Sequence, residues 1–257
     1  MRLNRENLLN HINDEEKILP LKKLIDKIEI VINEHIITST DFLDPYEVEL
    51  SKSILNRFDE ISYLIDGGYY EAERAVIYIY PEYMYEPILD DIKILKFTSK
   101  SDIKHRDILG SVLGLGIDRR KIGDIIINDD NYYFFAKSEI TNFLEFNLFK
   151  IGNNKIDISL SSNAEIPEAE FDNKDIIVSS LRLDVIISSV YNISRSKAQE
   201  LIRQERVKVN FKAENKVAFS LNEKDLVSVR KFGRFIFNKI TGSTKKEKYA
   251  INIKIPK

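Results

Sequence analysis

Leu181-Arg182-Leu183-Asp184, followed by Ser194-Arg195-Ser196-Lys197-Ala198, Leu201-Ile202 and Val207-Lys208-Val209-Asn210, is the stretch that decides how the C-terminal third folds. Ser194 is placed to cap a helix with its hydroxyl. Ala198, Leu201 and Ile202 then share one apolar face at helical spacing. Arg195, Gln199 and Arg203 recur every fourth residue on a different stripe, and Arg206 falls near it if the helix continues. Lys208 and Asn210 are two apart, so they point to one side of the following strand. Helix stripe and strand edge together make one basic surface. Guanidinium forks match phosphate oxygens through two coplanar hydrogen bonds. Arg182, Arg195, Lys197, Arg203 and Lys208 are therefore the expected phosphate contacts, and Asn210 suits a base edge or a 2′-hydroxyl.

The charge distribution points the same way. Residues 181–257 hold 18 Lys/Arg against 7 Asp/Glu, a net of +11, while the rest of the chain holds 21 against 34, a net of −13. A formal net charge of −2 conceals this asymmetry, which marks the basic end for an anionic partner. A surface whose lysines are simply solvated is the plain alternative.

Outward from the motif, helical runs cover 181–191 and 195–204. Strand-like runs follow at 207–210, 226–230, 235–237 and the alternating Ile251, Ile253 and Ile255. This third domain is expected over 176–257. The polar, acidic stretch 163–175 has no periodicity and reads as a linker. From 74 to 162, strand-like runs at 75–80, 92–97, 124–128, 132–136 and 156–160 alternate with helical runs at 105–113 and 138–148, which implies an α+β domain. Residues 1–73 read as a helical region. Pro20 suits the first turn of one helix, and Asp44-Pro45-Tyr46-Glu47 spells a capping box at the start of another.

A second basic feature lies in the middle region. Lys104-His105-Arg106 and Arg119-Arg120-Lys121 flank four of the nine glycines, and residues 93–121 carry a net charge of +5. This is neither a dinucleotide-binding fingerprint nor a phosphate-binding loop with its Gly-Lys-Ser/Thr ending. It is expected to add an RNA contact area. Tyr78, Tyr80, Tyr132, Tyr133, Phe134 and Phe135 are candidate stacking faces, with half or more of them expected in the core.

Other chemistries are excluded on residue grounds. The 257 residues contain no cysteine, and the three histidines, His11, His35 and His105, lack ligand spacing, so no metal site and no cofactor are expected. No nucleophile elbow occurs. Met1 to Asn13 has no apolar run of a secretory leader, and no stretch approaches the about 20 apolar residues of a membrane span. A monomer in the cytoplasm, away from membranes, is expected, with no catalytic residues.

The quoted C-terminal pieces, with Asp225-Leu226-Val227-Ser228-Val229 as a closing strand, resemble the S4 domain, an RNA-binding module of two short helices on a small bent sheet. Glu205, Phe211 and Lys224 stand where that module has turn glycines. Thr40-Asp41-Phe42-Leu43-Asp44-Pro45, Gly67-Gly68-Tyr69, Ala72-Glu73-Arg74 and the 104–124 run resemble the YlmH family of bacterial S4-domain proteins, in matching order over nearly the whole chain. The resemblance implies an α+β protein with a helical front, an RNA-recognition-like middle domain and the S4 domain last. It also implies a role on large ribosomal subunits that still carry peptidyl-tRNA, with rRNA and tRNA as ligands and an RqcH-type tailing factor as partner. Two other classes stay open. One is an RNA-modifying enzyme of the pseudouridine-synthase type, whose Arg-Leu-Asp setting Arg182-Leu183-Asp184 imitates. The other is an adaptor acting through the acidic helical front.

Overall fold

The computed structural model describes residues 3–244 and 247–256. Caps define the helical front. Asn4 accepts from Asn7 N–H ahead of α1 (Arg5–Leu9), and Asp14 accepts from Glu16 N–H ahead of α2 (Glu15–Glu34). Each side chain satisfies an amide that the first helical turn leaves unpaired. Pro20 thus lies inside α2 rather than opening it, because Asp14, backed by Glu15 and Glu16, starts the helix one turn earlier. After β1 (Thr38–Ser39), the expected capping box is complete at α3 (Pro45–Leu55). Asp44 accepts from Glu47 N–H at 2.8 Å, and Glu47 accepts from Asp44 N–H at 2.9 Å.

β2 (Ile61–Asp66) and β3 (Val76–Pro81) form an antiparallel pair, with β1 on the far side of β3. Ile77 and Ile79 of β3 pack with Leu21, Leu24, Ile25 and Ile28 of α2 and with Ile54 and Leu55 of α3. The 75–80 run, read above with the middle region, is a strand, and it pairs with β1 and β2 rather than with the strands that follow residue 91. Its apolar side is what covers α2. Ile61–Asp66 is a strand hidden behind the helical reading of the front.

The middle region runs β4 (Ile92–Thr98), α4 (His105–Gly114), a 3₁₀ turn at Arg119–Lys121, β5 (Ile122–Asn128), β6 (Asn131–Lys137) and α5 (Ser138–Asn147). A small hairpin, β7 (Lys150–Ile151) with β8 (Asn154–Lys155), precedes β9 (Ser159–Ser161). The sheet order is β5-β6-β4-β9, all antiparallel. This β-α-β-β-α-β winding is the RNA-recognition-like topology. Leu95, Phe97 and Phe134 meet Ile108 and Val112 of α4 and Leu144 of α5 on one face. The last strand is shorter than expected, since 156–158 leads in without joining the sheet. Residues Met1–Pro167 make one compact unit and Glu168–Lys257 a second.

In the second unit, β10 (Phe171–Val178), α6 (Leu183–Tyr191), α7 (Arg195–Arg203), β11 (Val207–Val209), β12 (Lys212–Ala213), β13 (Leu226–Val229), β14 (Gly233–Ser243) and β15 (Tyr249–Pro256) follow in order. They build an antiparallel sheet β10-β15-β14-β13-β11-β12. Leu183, Ile186, Ile187, Val190, Ala198, Leu201 and Ile202 of the two helices pack on Val207, Val227, Phe235, Phe237, Ile251 and Ile253. Each such burial stabilises by about 1.5–3 kcal/mol for the larger side chains. Helices and strands thus take their places with the apolar faces anticipated. β10 starts inside the stretch expected as a linker. All eight of its residues pair with β15, and as a largely exposed edge strand it needs little apolar content.

No helix among the described residues is long and apolar enough to cross a membrane.

Candidate RNA interface

Asp184 organises the S4-like surface. Its side chain is fully buried, yet its partners favour the charged form. Burial pushes its carboxyl up, but hydrogen bonds from Gln199, Arg182 and Arg195 outweigh this and hold it below the usual carboxylate range. Arg195 Nε donates at 2.8 Å, Gln199 Nε2 at 2.9 Å and Arg182 Nε at 3.0 Å. The helix stripe read from sequence is therefore not simply a row of solvent-facing groups. Gln199 and the inner edges of both arginines grip Asp184, while the side chains of Arg182 and Arg195 stay 39% and 51% exposed. A guanidinium has five donors, so each keeps an outer edge for a second acceptor. The grip fixes where that edge points.

Ser194 caps α7 as expected, accepting from Lys197 N–H at 3.2 Å. Arg203, Arg206 and Lys208 are exposed. Lys197 pairs with Glu200 at 2.9 Å, an exposed i,i+3 pair that an incoming phosphate can displace. Asn210 holds partners inside the unit. Its Nδ2 donates to Asp225 at 2.8 Å and its Oδ1 accepts from Leu226 N–H at 2.9 Å, so its amide fastens the end of β11 to the start of β13. Its backbone is left-handed, as is that of Phe211, Glu205 and Lys224, with φ of 48°, 67°, 54° and 75°. The three positions that depart from the module's turn glycines thus keep a glycine-like backbone while carrying side chains.

In the first unit, the two basic clusters separate. Lys104, His105 and Arg106 are exposed at the start of α4, where Asp107 accepts from Lys104 N–H. Arg119, Arg120 and Lys121 each hold partners within the unit. Lys121 pairs with Asp41 at 2.6 Å and Glu139 at 2.5 Å, and Arg120 pairs with Asp118 at 2.9 Å. Arg119 donates to the carbonyls of Ile122 and Gly123, and burial, with Arg74 beside it, lowers its pKa to about 10. Asp118 is the cap of the same 3₁₀ turn, two residues from Arg120, whereas Asp41 and Glu139 reach Lys121 from distant parts of the unit. Tyr78, Tyr132, Tyr133, Phe134 and Phe135 are buried, and only Tyr80 of the six candidate stacking residues is partly open.

Sequence reading passed over one buried polar cluster. Lys137 donates to Asp91, to Ser39 Oγ at 2.7 Å and to Thr40 carbonyl at 2.9 Å, tying β6 to β1. All three ammonium protons are engaged. Among the described residues no group of His, Cys, Asp and Glu has the arrangement of a metal site.

Comparison with known proteins covers most of the chain. Residues 16–84 match the family model described as YlmH, N-terminal. Residues 91–165 match the one described as putative RNA-binding domain in YlmH, and residues 181–227 match the S4 domain model. The chain is 30% identical over 254 residues to ribosome-associated protein quality control protein P2 of Bacillus subtilis strain 168, covering 95% of this chain and 96% of that one. A solved structure titled cell division protein ylmH from Streptococcus pneumoniae aligns with 58% of this chain and 92% of its own, at 23% identity and a TM-score of 0.49.

Proposed function

We propose, given that this chain belongs to the YlmH family of S4-domain proteins, that it is an RNA-binding factor of ribosome-associated quality control. In this reading it acts in the cytoplasm as a monomer, on large ribosomal subunits that carry peptidyl-tRNA. It contacts rRNA, with tRNA and an RqcH-type tailing factor as neighbours. The observation that carries the reading is the buried Asp184 gripping Arg182, Arg195 and Gln199. Two arginines preset on one face lose less side-chain entropy when they meet phosphates than free ones would. Arg203, Arg206, Lys197 and Lys208 are further exposed phosphate contacts of the same unit, and Lys104, His105 and Arg106 form a separate contact area on the first unit. Asn210 acts by holding the turn, and Arg119, Arg120 and Lys121 act by bracing the first unit. The protein works by binding and not by catalysis. Asp184, which an Arg-Leu-Asp enzyme would need free, is buried under three donors.

Sedimentation of lysate through sucrose at low and high salt tests the ribosomal part. Comigration with free large subunits that disappears at high salt is the expected result, and a protein that stays at the top at both salts refutes it. Replacing Arg195 and Arg203 by alanine is expected to weaken RNA binding and to reduce the salt slope by about 0.7–0.9 per lost phosphate contact.

A further inference from the structure

On an open sheet of β-α-β-β-α-β winding, unpaired bases stack on the face away from the helices. In this protein that face is closed. Tyr69 stacks on Phe135 with ring centroids 5.0 Å apart, and Phe42, Val76 and Tyr78 complete the cover. Tyr133 is buried as well, with the Lys96 ammonium 5.1 Å from its ring. Arg119–Lys121, the basic run nearest β5, is spent on internal pairs.

Aromatic surface reappears on the other side of the same domain. Phe143 and Phe146 lie one helical turn apart on α5, and Phe149 follows its end. They are 44%, 85% and 71% exposed. The next residue, Lys150, is paired directly with Lys155 across the β7–β8 hairpin. Like charges facing each other across strands destabilise the pairing unless an anion relieves them. Neither lysine forms an ion pair among the described residues. Residues 146–156 hold these two lysines and no acid. Glu145, just before them, accepts from Leu160 N–H at 3.2 Å.

We propose that Phe146, Phe149, Lys150 and Lys155 form a second RNA site that takes unpaired nucleotides, with bases stacked on the exposed rings and the lysines on the adjoining phosphates. It rests on the reading of the protein as an RNA-binding factor but is separate from the S4 surface. Exposed rings beside unrelieved lysines fit a nucleic acid strand better than an apolar protein partner, which would leave both ammoniums desolvated without a counter-charge.

Fluorescence anisotropy of the full chain with two labelled probes tests it, one a single-stranded adenosine 12-mer, the other a blunt RNA hairpin whose strands are joined by a non-nucleotide linker, so that it holds no unpaired base. The Phe146→Leu, Phe149→Leu double variant keeps apolar side chains at these exposed positions and removes the rings. It should lose affinity for the 12-mer by about tenfold or more and bind the hairpin as the wild type does. Lys150→Gln with Lys155→Gln should weaken 12-mer binding and flatten its salt dependence. Unchanged 12-mer affinity in the leucine variant overturns the site and leaves the rings to a protein contact. Equal loss on both probes also overturns it. A wild type that binds the hairpin but not the 12-mer defeats this proposal alone, whereas one that binds neither defeats the RNA-binding reading with it.

Discussion

Replacing Asp184 by asparagine keeps the shape of the side chain and removes its charge. Three donors converge on the carboxylate at 2.8–3.0 Å, counting the nearer nitrogen of each partner. Hydrogen bonds to charged groups contribute about 1.5–3 kcal/mol each before the cost of taking the carboxylate out of water is subtracted. Both arginine partners are at least 39% exposed, so water screens their share. The lowered pKa fixes the sign, because the charged form is the one the fold prefers. Asparagine also turns an amide N–H₂ toward a group of donors. The net loss is expected at about 2–3 kcal/mol, which corresponds to a roughly 30- to 150-fold fall in protection from exchange. Hydrogen–deuterium exchange of the full chain should show this fall in peptides from α6 and α7. Peptides from α2 and β6 in the first unit should be unchanged. A loss under about 0.5 kcal/mol in α6 and α7, with RNA affinity intact, would refute the idea that Asp184 presets the arginines.

Other outcomes follow from the same structure. Because Asp184 has a depressed pKa in the folded state, its stabilisation is full above the unfolded value of about 3.9 and is lost as pH falls through the folded value. Exchange protection of α7 should therefore drop below about pH 4 in the wild type and show less pH dependence in Asp184→Asn. Glu205→Gly and Lys224→Gly relieve left-handed strain of about 1–2 kcal/mol and give back about 0.4–1 kcal/mol of unfolded-chain entropy, so each should stabilise the second unit by about 0.5–1 kcal/mol, read by urea unfolding. Lys121→Met leaves Asp41 unpaired and should cost the first unit about 1–2 kcal/mol in thermal unfolding, with RNA affinity unchanged. In Gly68→Ala the new methyl would lie 2.5 Å from the Phe135 ring on a backbone with φ of 90°, so a cost of about 2–4 kcal/mol is expected, again by urea unfolding.

The legible parts of the fold were those that local chemistry writes into neighbouring residues. The Asp44–Glu47 box, the Ser194 cap and the alternating isoleucines of β15 each carry their own signal, and the structure forms all three. β10 escaped notice because pairing with β15 holds it, and backbone pairing leaves no trace in a strand's own composition. β3 was recognised as a strand but grouped with the middle region, since pairing partners 10 to 20 residues away, such as Val76 with Asp66 and Pro81 with Ile61, are not visible in a local pattern. In the candidate site, the positions of the arginines were legible and their partners were not. Asp184 lies two residues from Arg182 but 11 and 15 from Arg195 and Gln199, so the grip exists only once α6 and α7 are packed. The same holds for Lys121, whose counter-charges at Asp41 and Glu139 come from distant elements.

The cover over the four-stranded sheet also dictates how the gene can be cut. The match to residues 91–165 looks like a self-sufficient piece. A fragment with those ends would lose Phe42, Tyr69, Val76 and Tyr78 and present Phe135, Ile92, Ile94 and Ile126 to water as one greasy face. Such a face invites self-association. Soluble expression of the middle region should require everything from the start of α2 onward, and a fragment that precipitates would say nothing about whether the intact protein holds RNA there.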